Sequence, residues 1–394
     1  MKMNQVEEVQ GLYGPFTLSE RVVQKIWLRQ DFDTSELKTV SGRKLEVLDP
    51  GRWNLLAGPD FKDARLHLDG AEITGDVEIH FNANDWAAHG HQHNTDFDQV
   101  VLHVVVYDQQ KQTLPVKTFS GHQPELLILL PVLNRDLEDY AIDDALRELE
   151  KVEELDWEVE FLERTLSERQ ELVLKDAASR WARKLNFARK RLAADGWDAT
   201  LHQLCLEVLG YSRNRGPMAR IGVNYPIEIF RRQNLDTEML FQSEAGIWKL
   251  NGSRPMNHPK LRLQQYLQIM HHAPDWPEQL RSVLSQQTET SAAMNTSDFR
   301  RSVGLRDLCD AVRIELFNEV IGEKRFHTLM VDAFLPLATA EGLIDGYPYW
   351  LHWWPGDTPA TLSRLLKRAE LVTKSNPLSN GLLQGALGLS IRKG

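Results

Sequence analysis

The spacing of apolar residues divides the chain into a β-rich beginning and a longer helical remainder. In residues 19–29 the side chains of Val22, Val23, Ile26 and Trp27 recur at helical spacing, which predicts an amphipathic helix. From residue 45 onward the apolar period changes to two, as it does in strands whose successive side chains point to opposite faces. The pattern predicts strands over residues 45–48, 64–68, 73–81, 100–107 and 114–119, and either a strand or the start of a helix over 126–133.

Two of the predicted strands are joined by Asp69-Gly70, which is a strong hairpin signal between alternating segments. The returning strand, residues 73–81, has one apolar face and one ionisable face because its side chains alternate. The ionisable face carries Asp76, Glu78 and His80. The sequence therefore predicts acids and an imidazole side by side on one face of a sheet.

The chain after residue 133 has the pattern of successive helices. Residues 135–174 are strongly acidic and residues 176–194 are basic on their surface. Further helical segments follow, separated by breakers such as Asn251-Gly252 and Asn376-Pro377. We therefore predict an α+β protein with a β-rich domain at 1–133 and an all-helical region at 134–394.

Composition and charge narrow the class of protein. The chain has 394 residues, enough for two or three domains of ordinary size. Its formal net charge of -10 excludes a protein coated in positive charge, although a local basic patch is compatible with it. The two cysteines lie far apart in helical surroundings, which favours reduced core residues and a cytoplasmic location. No apolar run approaches the roughly 20 residues that span a bilayer, and residues 1–15 lack the apolar core of a signal peptide, so we expect no membrane partner.

The densest group of metal-binding residue types lies between residues 58 and 103. Asp60 follows Gly58-Pro59 at the mouth of a predicted strand, and Glu78 and His80 share a face of the hairpin partner. Hard divalent cations bind carboxylate oxygens that are held at more than one backbone position. Such a metal makes a nucleophile from water for attack on a phosphodiester. The sequence therefore predicts a Mg²⁺ or Mn²⁺ site with Asp60 and Glu78 as ligands, and with His80 as the third catalytic residue, which orients or deprotonates the water.

This arrangement, Pro59-Asp60 and then Glu78-Ile79-His80 after a hairpin, resembles the motif of the PD-(D/E)xK nuclease superfamily. The predicted order of helix, three strands, short connection and strand is similar to the core of that superfamily. The resemblance implies a restriction-endonuclease-like mixed β-sheet in the N-terminal domain. It also implies a supporting acid from the first helix, where Glu20 occupies the matching place, and Glu46 is a second supporting acid. His80 stands where the motif has lysine, and histidine carries no permanent charge at neutral pH.

A second resemblance covers nearly the whole chain. Short strings in both halves are similar to an uncharacterised bacterial family known only as a domain of unknown function, and this similarity implies a cytoplasmic bacterial protein without implying an activity. The strings are Leu45-Glu46-Val47, Pro50-Gly51-Arg52, Gly58-Pro59-Asp60-Phe61, Asp76-Val77-Glu78-Ile79-His80, Asp85-Trp86, His89-Gly90-His91, Val101-Leu102-His103-Val104-Val105, Arg254-Pro255, Asn257, Pro259 and Arg262.

The histidines that follow Glu78 allow two interpretations. His89, His91 and His103 are supporting candidates for the site, and a cluster of imidazoles with a carboxylate is typical of a transition-metal site. Alternatively, the first two lie in a loop where they are solvated or bind the loop's backbone, because Gly90 interrupts any strand there and no established ligand spacing is present. His103 lies inside an apolar strand, where it is either a satisfied core group or faces the same site as Glu78.

Four cations are candidates for contacts with nucleic acid. Arg180, Arg183 and Lys184 cluster on the predicted basic helix, and Arg52 lies next to the strand that precedes Asp60. Clustered cations release counterions when they bind a phosphate backbone. The alternative is that this helix pairs with the acidic helix before it.

Two functions from different classes follow from these observations. The first is a metal-dependent nuclease or a nuclease-like protein that binds nucleic acid, supported by the motif around Asp60 and Glu78. The second is a non-catalytic protein that binds another protein through an apolar groove in its helical region, supported by the missing lysine and the acidic charge. A third reading is a small-molecule hydrolase that uses zinc in the histidine cluster.

Overall fold

The computed structural model describes residues 20–107, 116–133, 137, 140–141, 144–145, 155, 157–232, 235–250, 257–287, 294–356 and 359–393. The predictions for residues 1–19, for 114–115 and for most of 134–156, together with Arg254-Pro255 of the family-like strings, lie outside these residues. The chain forms two compact units, of which the first ends at Asp144 and the second begins at Ala145.

The first unit joins one long helix to a mixed β-sheet. Its elements are α1 (Glu20–Arg29), β1 (Leu45–Asp49), β2 (Arg52–Trp53), β3 (Phe61–Leu68), β4 (Ala71–Asn82), α2 (Asp85–Ala88), the 3-10 turns His91–His93 and Thr95–Phe97, β5 (Val100–Tyr107), β6 (Glu125–Ile128) and the 3-10 turn Leu130–Val132. The described residue Asp144 belongs to this unit, and Lys25 and Arg29 of α1 both form ion pairs with it.

The six-stranded sheet has the order β1-β3-β4-β5-β6, and β2 pairs with the edge of β3. The β1–β3 and β3–β4 pairs are antiparallel, whereas β4–β5 and β5–β6 are parallel. The predicted hairpin is confirmed, since Asp69 and Gly70 both have positive φ angles of 52° and 84°, as a two-residue type I′ turn requires. The mixed sheet and the α+β class are therefore as predicted.

Strand β4 is buried on both faces from Asp76 to Phe81. On one face Val77, Ile79 and Phe81 join the apolar core with residues of α1. A smaller cluster contains Trp86 and Phe97 from the segment that links β4 to β5. The ionisable face is thus enclosed by protein instead of facing water, which alternation alone did not predict.

The strand predicted over residues 114–119 is wrong for its described part. Residues 116–119 form no strand. Instead, the Thr118 N–H donates to His122 O and the Gly121 N–H donates to Thr118 O, which makes a tight turn. Val116 packs against the cluster around Trp86, so its apolar side chain belongs to that cluster and not to a strand face.

The second unit is built from helices in its described residues. They are α3 (Glu158–Leu162), α4 (Leu166–Leu209), α5 (Tyr211–Asn224), α6 (Ile227–Arg232), α7 (Thr237–Ser243), α8 (Pro259–His272), α9 (Trp276–Ser285), α10 (Thr296–Ser302), α11 (Leu305–Asp310), α12 (Glu323–Leu329), α13 (Leu335–Ala340), α14 (Gly346–His352), α15 (Ala360–Arg368) and α16 (Asn380–Lys393), with π-helical turns at Ala311–Leu316 and Met330–Phe334. Helix α4 is broken at Gly196, which has a φ angle of 76°. Among the helices described in the two units, none combines the length and apolar character needed to cross a membrane.

Gly75 allows β4 to approach the start of β5. A Cβ atom at this position would meet the side chain of Val101 and would lie 2.8 Å from the Gln99 carbonyl oxygen. We expect Gly75→Ala to destabilise the pairing by about 1–3 kcal/mol, the usual cost of overpacking. Hydrogen exchange measured by mass spectrometry should become faster in peptides from β4 and β5 and stay unchanged in peptides from α4. Gly322→Ala, where an added Cβ has nothing within 4 Å, is the matched control; equal exchange in β4 for both variants would contradict the close approach.

Candidate metal centre

Asp60 and Glu78 are held together by backbone hydrogen bonds at the edge where β3 begins. The Asp60 N–H donates to Glu78 Oε2 at 3.0 Å, and the Ile79 N–H donates to Asp60 Oδ2 at 3.0 Å. The second oxygen of Asp60, Oδ1, accepts a hydrogen bond of 2.7 Å from the side-chain amide of Gln24 in α1. The two acids predicted to be ligands are therefore neighbours, and Asp60 has both carboxylate oxygens engaged by protein donors.

The other oxygen of Glu78 faces imidazoles. Glu78 Oε1 lies 3.1 Å from His91 Nε2 and 3.5 Å from His80 Nε2. The Glu78 side chain is only about 5% exposed. Burial raises the pKa of the Glu78 carboxyl to about 8, against the opposing effects of its backbone hydrogen bond and of the Lys62 charge. Burial, and then the charge of Glu78, raise the pKa of Asp60 well above its usual range.

His80 is the centre of a cluster of four imidazoles. Its Nδ1 lies 2.8 Å from His103 Nε2, and its Nε2 lies 3.1 Å from His89 Nδ1 and 3.2 Å from His91 Nε2. Burial lowers the pKa of His80 well below its usual range, and the neighbouring imidazoles lower it further. Burial also lowers the pKa of His91 to about 4 and that of His103 to about 3. These three rings are therefore neutral at neutral pH, so each has one nitrogen lone pair.

The register of the parallel β4–β5 pair brings His103 into the cluster. Glu78 pairs with His103, and His80 pairs with Val105 two residues further along. Because paired residues of neighbouring strands point to the same face, His103 lies on the ionisable face of β4. Of the two interpretations of His103, the structure favours the one in which it faces the same site as Glu78.

A short loop carries His89 and His91 back over β4. It follows α2, turns at Gly90 with a φ angle of 74°, and continues into the 3-10 turn at His91–His93. Two large aromatic side chains hold it down: the Trp86 ring lies 5.3 Å from those of His91 and His103, and the Phe97 ring stacks on His91 at 3.8 Å. The Trp86 indole N–H donates to Lys117 O and is thereby fixed. His91 is half-buried, and His89 forms the exposed side of the cluster.

Among the described residues, one group of ligand atoms is spaced closely enough to hold a metal ion. The candidate nitrogens of His80, His89 and His91 all lie within 4.8 Å of one another. The structure thus brings together Asp60, Glu78 and His80 with three of the supporting residues, His89, His91 and His103. It also adds two residues that sequence reasoning missed. Gln24 lies one helical turn after Glu20 on the same face of α1, and Lys62 of β3 lies two residues after Asp60. Each could have been found by its spacing from a predicted site residue.

Lys62 belongs to a polar network beside the cluster. Its Nζ lies 2.8 Å from Asp76 Oδ2, and the Asp63 N–H donates to Asp76 Oδ1 at 3.1 Å. Both carboxylate oxygens of Asp76, the third ionisable side chain on this face of β4, are therefore engaged by residues of β3. The Lys62 ammonium is a positive charge close enough to Glu78 to favour its ionised form.

Other predicted site residues lie elsewhere. Glu20 is the half-buried first residue of α1, and the same helix reaches Asp60 through Gln24. Glu46 is exposed on β1, where its Oε2 lies 3.1 Å from His67 Nδ1 across the β1–β3 pair. Arg52 is exposed and forms an ion pair with Asp63.

The basic residues of the second unit are engaged within that unit. Arg180 is 3% exposed, and its Nε donates to Gln384 Oε1 at 2.8 Å. Lys184 forms an ion pair of 2.7 Å with Asp332, and Arg183 is half-buried. These contacts assign Arg180 and Lys184 to packing among α4, α16 and the π-helical turn at Met330–Phe334. The large apolar residues exposed in the described part of this unit are scattered along the sequence, from Val159 to Ile314.

The fold and the cluster define an α+β protein with a buried carboxylate–imidazole centre. Residues 20–247 match the family described as "Protein of unknown function (DUF2851)", and the chain belongs to that family. No curated protein and no solved structure matches the chain.

The contact between Gln24 and Asp60 generates a prediction about stability. Because Gln24 Oε1 also accepts a hydrogen bond of 3.2 Å from the Trp53 indole N–H, we expect the effect of Gln24→Ala to contain more than one interaction. A double-mutant cycle with Asp60→Ala isolates the pair, and we expect a coupling free energy of about 1–2 kcal/mol for these partly buried groups. Hydrogen exchange of the β4 peptide measures it. Additive effects of the two substitutions would show that α1 does not hold Asp60.

Proposed function

We propose that the first unit is a metal-dependent phosphodiesterase of the nuclease type, and that nucleic acid is its substrate. One observation carries the proposal: Glu78 is fixed by the Asp60 N–H on one oxygen and faces the imidazoles of His80 and His91 with the other. A carboxylate held in this way, beside lone pairs of neutral imidazoles, is suited to bind a divalent cation.

The arrangement of elements supports the nuclease class. Helix α1 is followed by the antiparallel strands β1, β3 and β4, and then by β5, which runs parallel to β4. This is the order that the PD-(D/E)xK resemblance implies. Asp60 lies at the start of β3 and Glu78 in the middle of β4, as the two acids of that motif do.

Each residue has a role that its contacts suggest. A divalent metal, when bound, would lower the pKa of a water at the site and so supply the nucleophile. Glu78 would hold the metal through its carboxylate, and Asp60 fixes the orientation of that carboxylate through its N–H. Lys62 supplies the positive charge that the motif takes from a lysine at the position of His80, because its ammonium already favours the ionised form of Glu78.

Cations beside the site suit a phosphate-bearing substrate. Arg52 is exposed next to β3, and its partner Asp63 is also exposed, so a phosphate can replace this ion pair at little cost. Arg21 of α1 lies over the Trp53 ring, with its Cζ 5.7 Å from the ring centre. The charges of these two arginines suit a phosphate backbone.

Cleavage assays test the proposal directly. Single- and double-stranded DNA and RNA are incubated with the full chain in Mn²⁺ or Mg²⁺, and rates are compared for wild type and Glu78→Gln. We expect Glu78→Gln to lower the rate by about 100-fold or more, because even the outer partners of a metal ligand contribute about 10–100-fold.

Glu46→Gln is the matched control, because Glu46 is a glutamate of the same sheet that is exposed and bonded to His67. It should cleave within about twofold of wild type, since surface changes away from a site are close to neutral. Wild-type rates no higher than those of Glu78→Gln on every substrate would overturn the proposed activity.

A further inference from the structure

The Nε2 atom of His80 has more polar neighbours than one hydrogen bond can satisfy. It lies 3.1 Å from His89 Nδ1, 3.2 Å from His91 Nε2 and 3.5 Å from Glu78 Oε1. A neutral imidazole nitrogen either donates one hydrogen bond or accepts. One hydrogen or one lone pair on Nε2 can make a well-directed hydrogen bond with only one of these three neighbours. A cation placed among the four atoms would turn each of the close approaches into a shared attraction.

The contact between His80 Nδ1 and His103 is consistent with a cation beside His80 Nε2. His80 Nδ1 lies 2.8 Å from His103 Nε2, so one hydrogen is shared between the two rings. When it belongs to His80 Nδ1, the lone pair of His80 is on Nε2 and points at the other imidazoles. A histidine that binds a metal typically donates its second N–H in this way, which fixes its tautomer. In that tautomer His103 carries its own hydrogen on Nδ1, which is buried without a hydrogen-bond partner among the described residues, so one buried donor is left unpaired there.

Four of the six separations among these atoms are close to those of a tetrahedral ion. With metal–ligand bonds of about 2.0–2.1 Å, the ligand atoms of a tetrahedral site lie about 3.3 Å apart. The three separations that involve His80 Nε2 run from 3.1 to 3.5 Å, and His91 Nε2 lies 3.1 Å from Glu78 Oε1. The candidate nitrogens of His89 and His91 lie within 4.8 Å of each other. Three nitrogens and one oxygen suit zinc, manganese or iron, whereas magnesium prefers oxygen ligands.

We propose that His80, His89, His91 and Glu78 form a transition-metal site that selects Zn²⁺ over Mg²⁺, and that His103 is a positioning residue for His80. This inference rests on the proposed function only in that it assigns the metal of the same site. It gives Asp60 a role other than the metal ligand that the sequence predicts. Both Asp60 oxygens accept hydrogen bonds, from Gln24 and from the Ile79 N–H, so Asp60 orients Glu78 and does not contact the metal.

Isothermal titration of the chelator-treated full chain with Zn²⁺, Mn²⁺ and Mg²⁺ measures this selectivity. We expect one equivalent of Zn²⁺ to bind at least about 100-fold more tightly than Mg²⁺. His89→Ala and His91→Ala should each lower the Zn²⁺ affinity at least about tenfold. His93→Ala is the matched control, because His93 lies in the same loop, is exposed and stands outside the cluster. It should leave the affinity unchanged.

Cobalt gives a second measurement that does not depend on activity. Co²⁺ bound in place of Zn²⁺ should show the intense visible absorption of a tetrahedral cobalt site, and the band should be lost in His91→Ala and retained in His93→Ala. Circular dichroism of each variant establishes that it is folded. An octahedral cobalt spectrum in the wild type, or Zn²⁺ binding that is equally tight in His91→Ala and wild type, would overturn the assignment.

The role of His103 is tested by a pair of variants. His103→Gln keeps an acceptor for the His80 Nδ1–H, whereas His103→Leu removes it and keeps the ring's place filled. We expect Leu to lower Zn²⁺ affinity by about 10–100-fold and Gln to restore most of it. Equal affinities for the two variants would remove His103 from the account.

The outcomes separate this inference from the proposed function. Tight Zn²⁺ binding with no cleavage of any nucleic acid would overturn the phosphodiesterase and support the metal site. Mg²⁺-dependent cleavage that persists in His89→Ala and His91→Ala would support the phosphodiesterase and overturn the metal site.

Discussion

The burial of the Glu78 carboxylate is the constraint on which the rest of the first unit depends. Strand β4 is covered on both faces, so a carboxylate in its middle has protein partners in place of water. Three separate parts of the chain supply them: β3 through the Asp60 N–H, the loop after α2 through His91, and β4 itself through His80. Helix α1 supports Glu78 indirectly, because Gln24 holds Asp60 in place. Removing any one part leaves a buried polar group without its partner.

The aromatic side chains around the cluster explain why it forms a site and not merely a polar core. Trp86 and Phe97 close one side and fix His91 in its orientation. His89 forms the exposed side, so an ion or a substrate has a route of approach. A low dielectric on one side and solvent on the other strengthens charge interactions within the cluster without sealing it. In the proposed site, substrate access and metal selectivity would both depend on this short loop.

Local sequence patterns predict the strands better than they predict which loop and helix side chains lie against them. The bounds of β5 and the Asp69-Gly70 hairpin follow from alternation and from a turn signal, because both are local. Local patterns also placed Glu78 and His80 on one face. They could not place His89 and His91 over that face, since this depends on a loop that Gly90 turns and on aromatic contacts with Trp86 and Phe97. The helix contact shows the same limit: α1 was predicted to supply Glu20, but the position of the helix along its axis brings Gln24, one turn later on the same face, to Asp60.

Anomalous diffraction from crystals grown with Zn²⁺, recorded on both sides of the zinc absorption edge, shows directly whether a transition metal binds among Glu78, His80, His89 and His91. We expect one strong anomalous peak about 2 Å from His80 Nε2 and His91 Nε2. A peak bound by Asp60 and Glu78 with the imidazoles turned away, or no peak in this unit, would contradict this expectation.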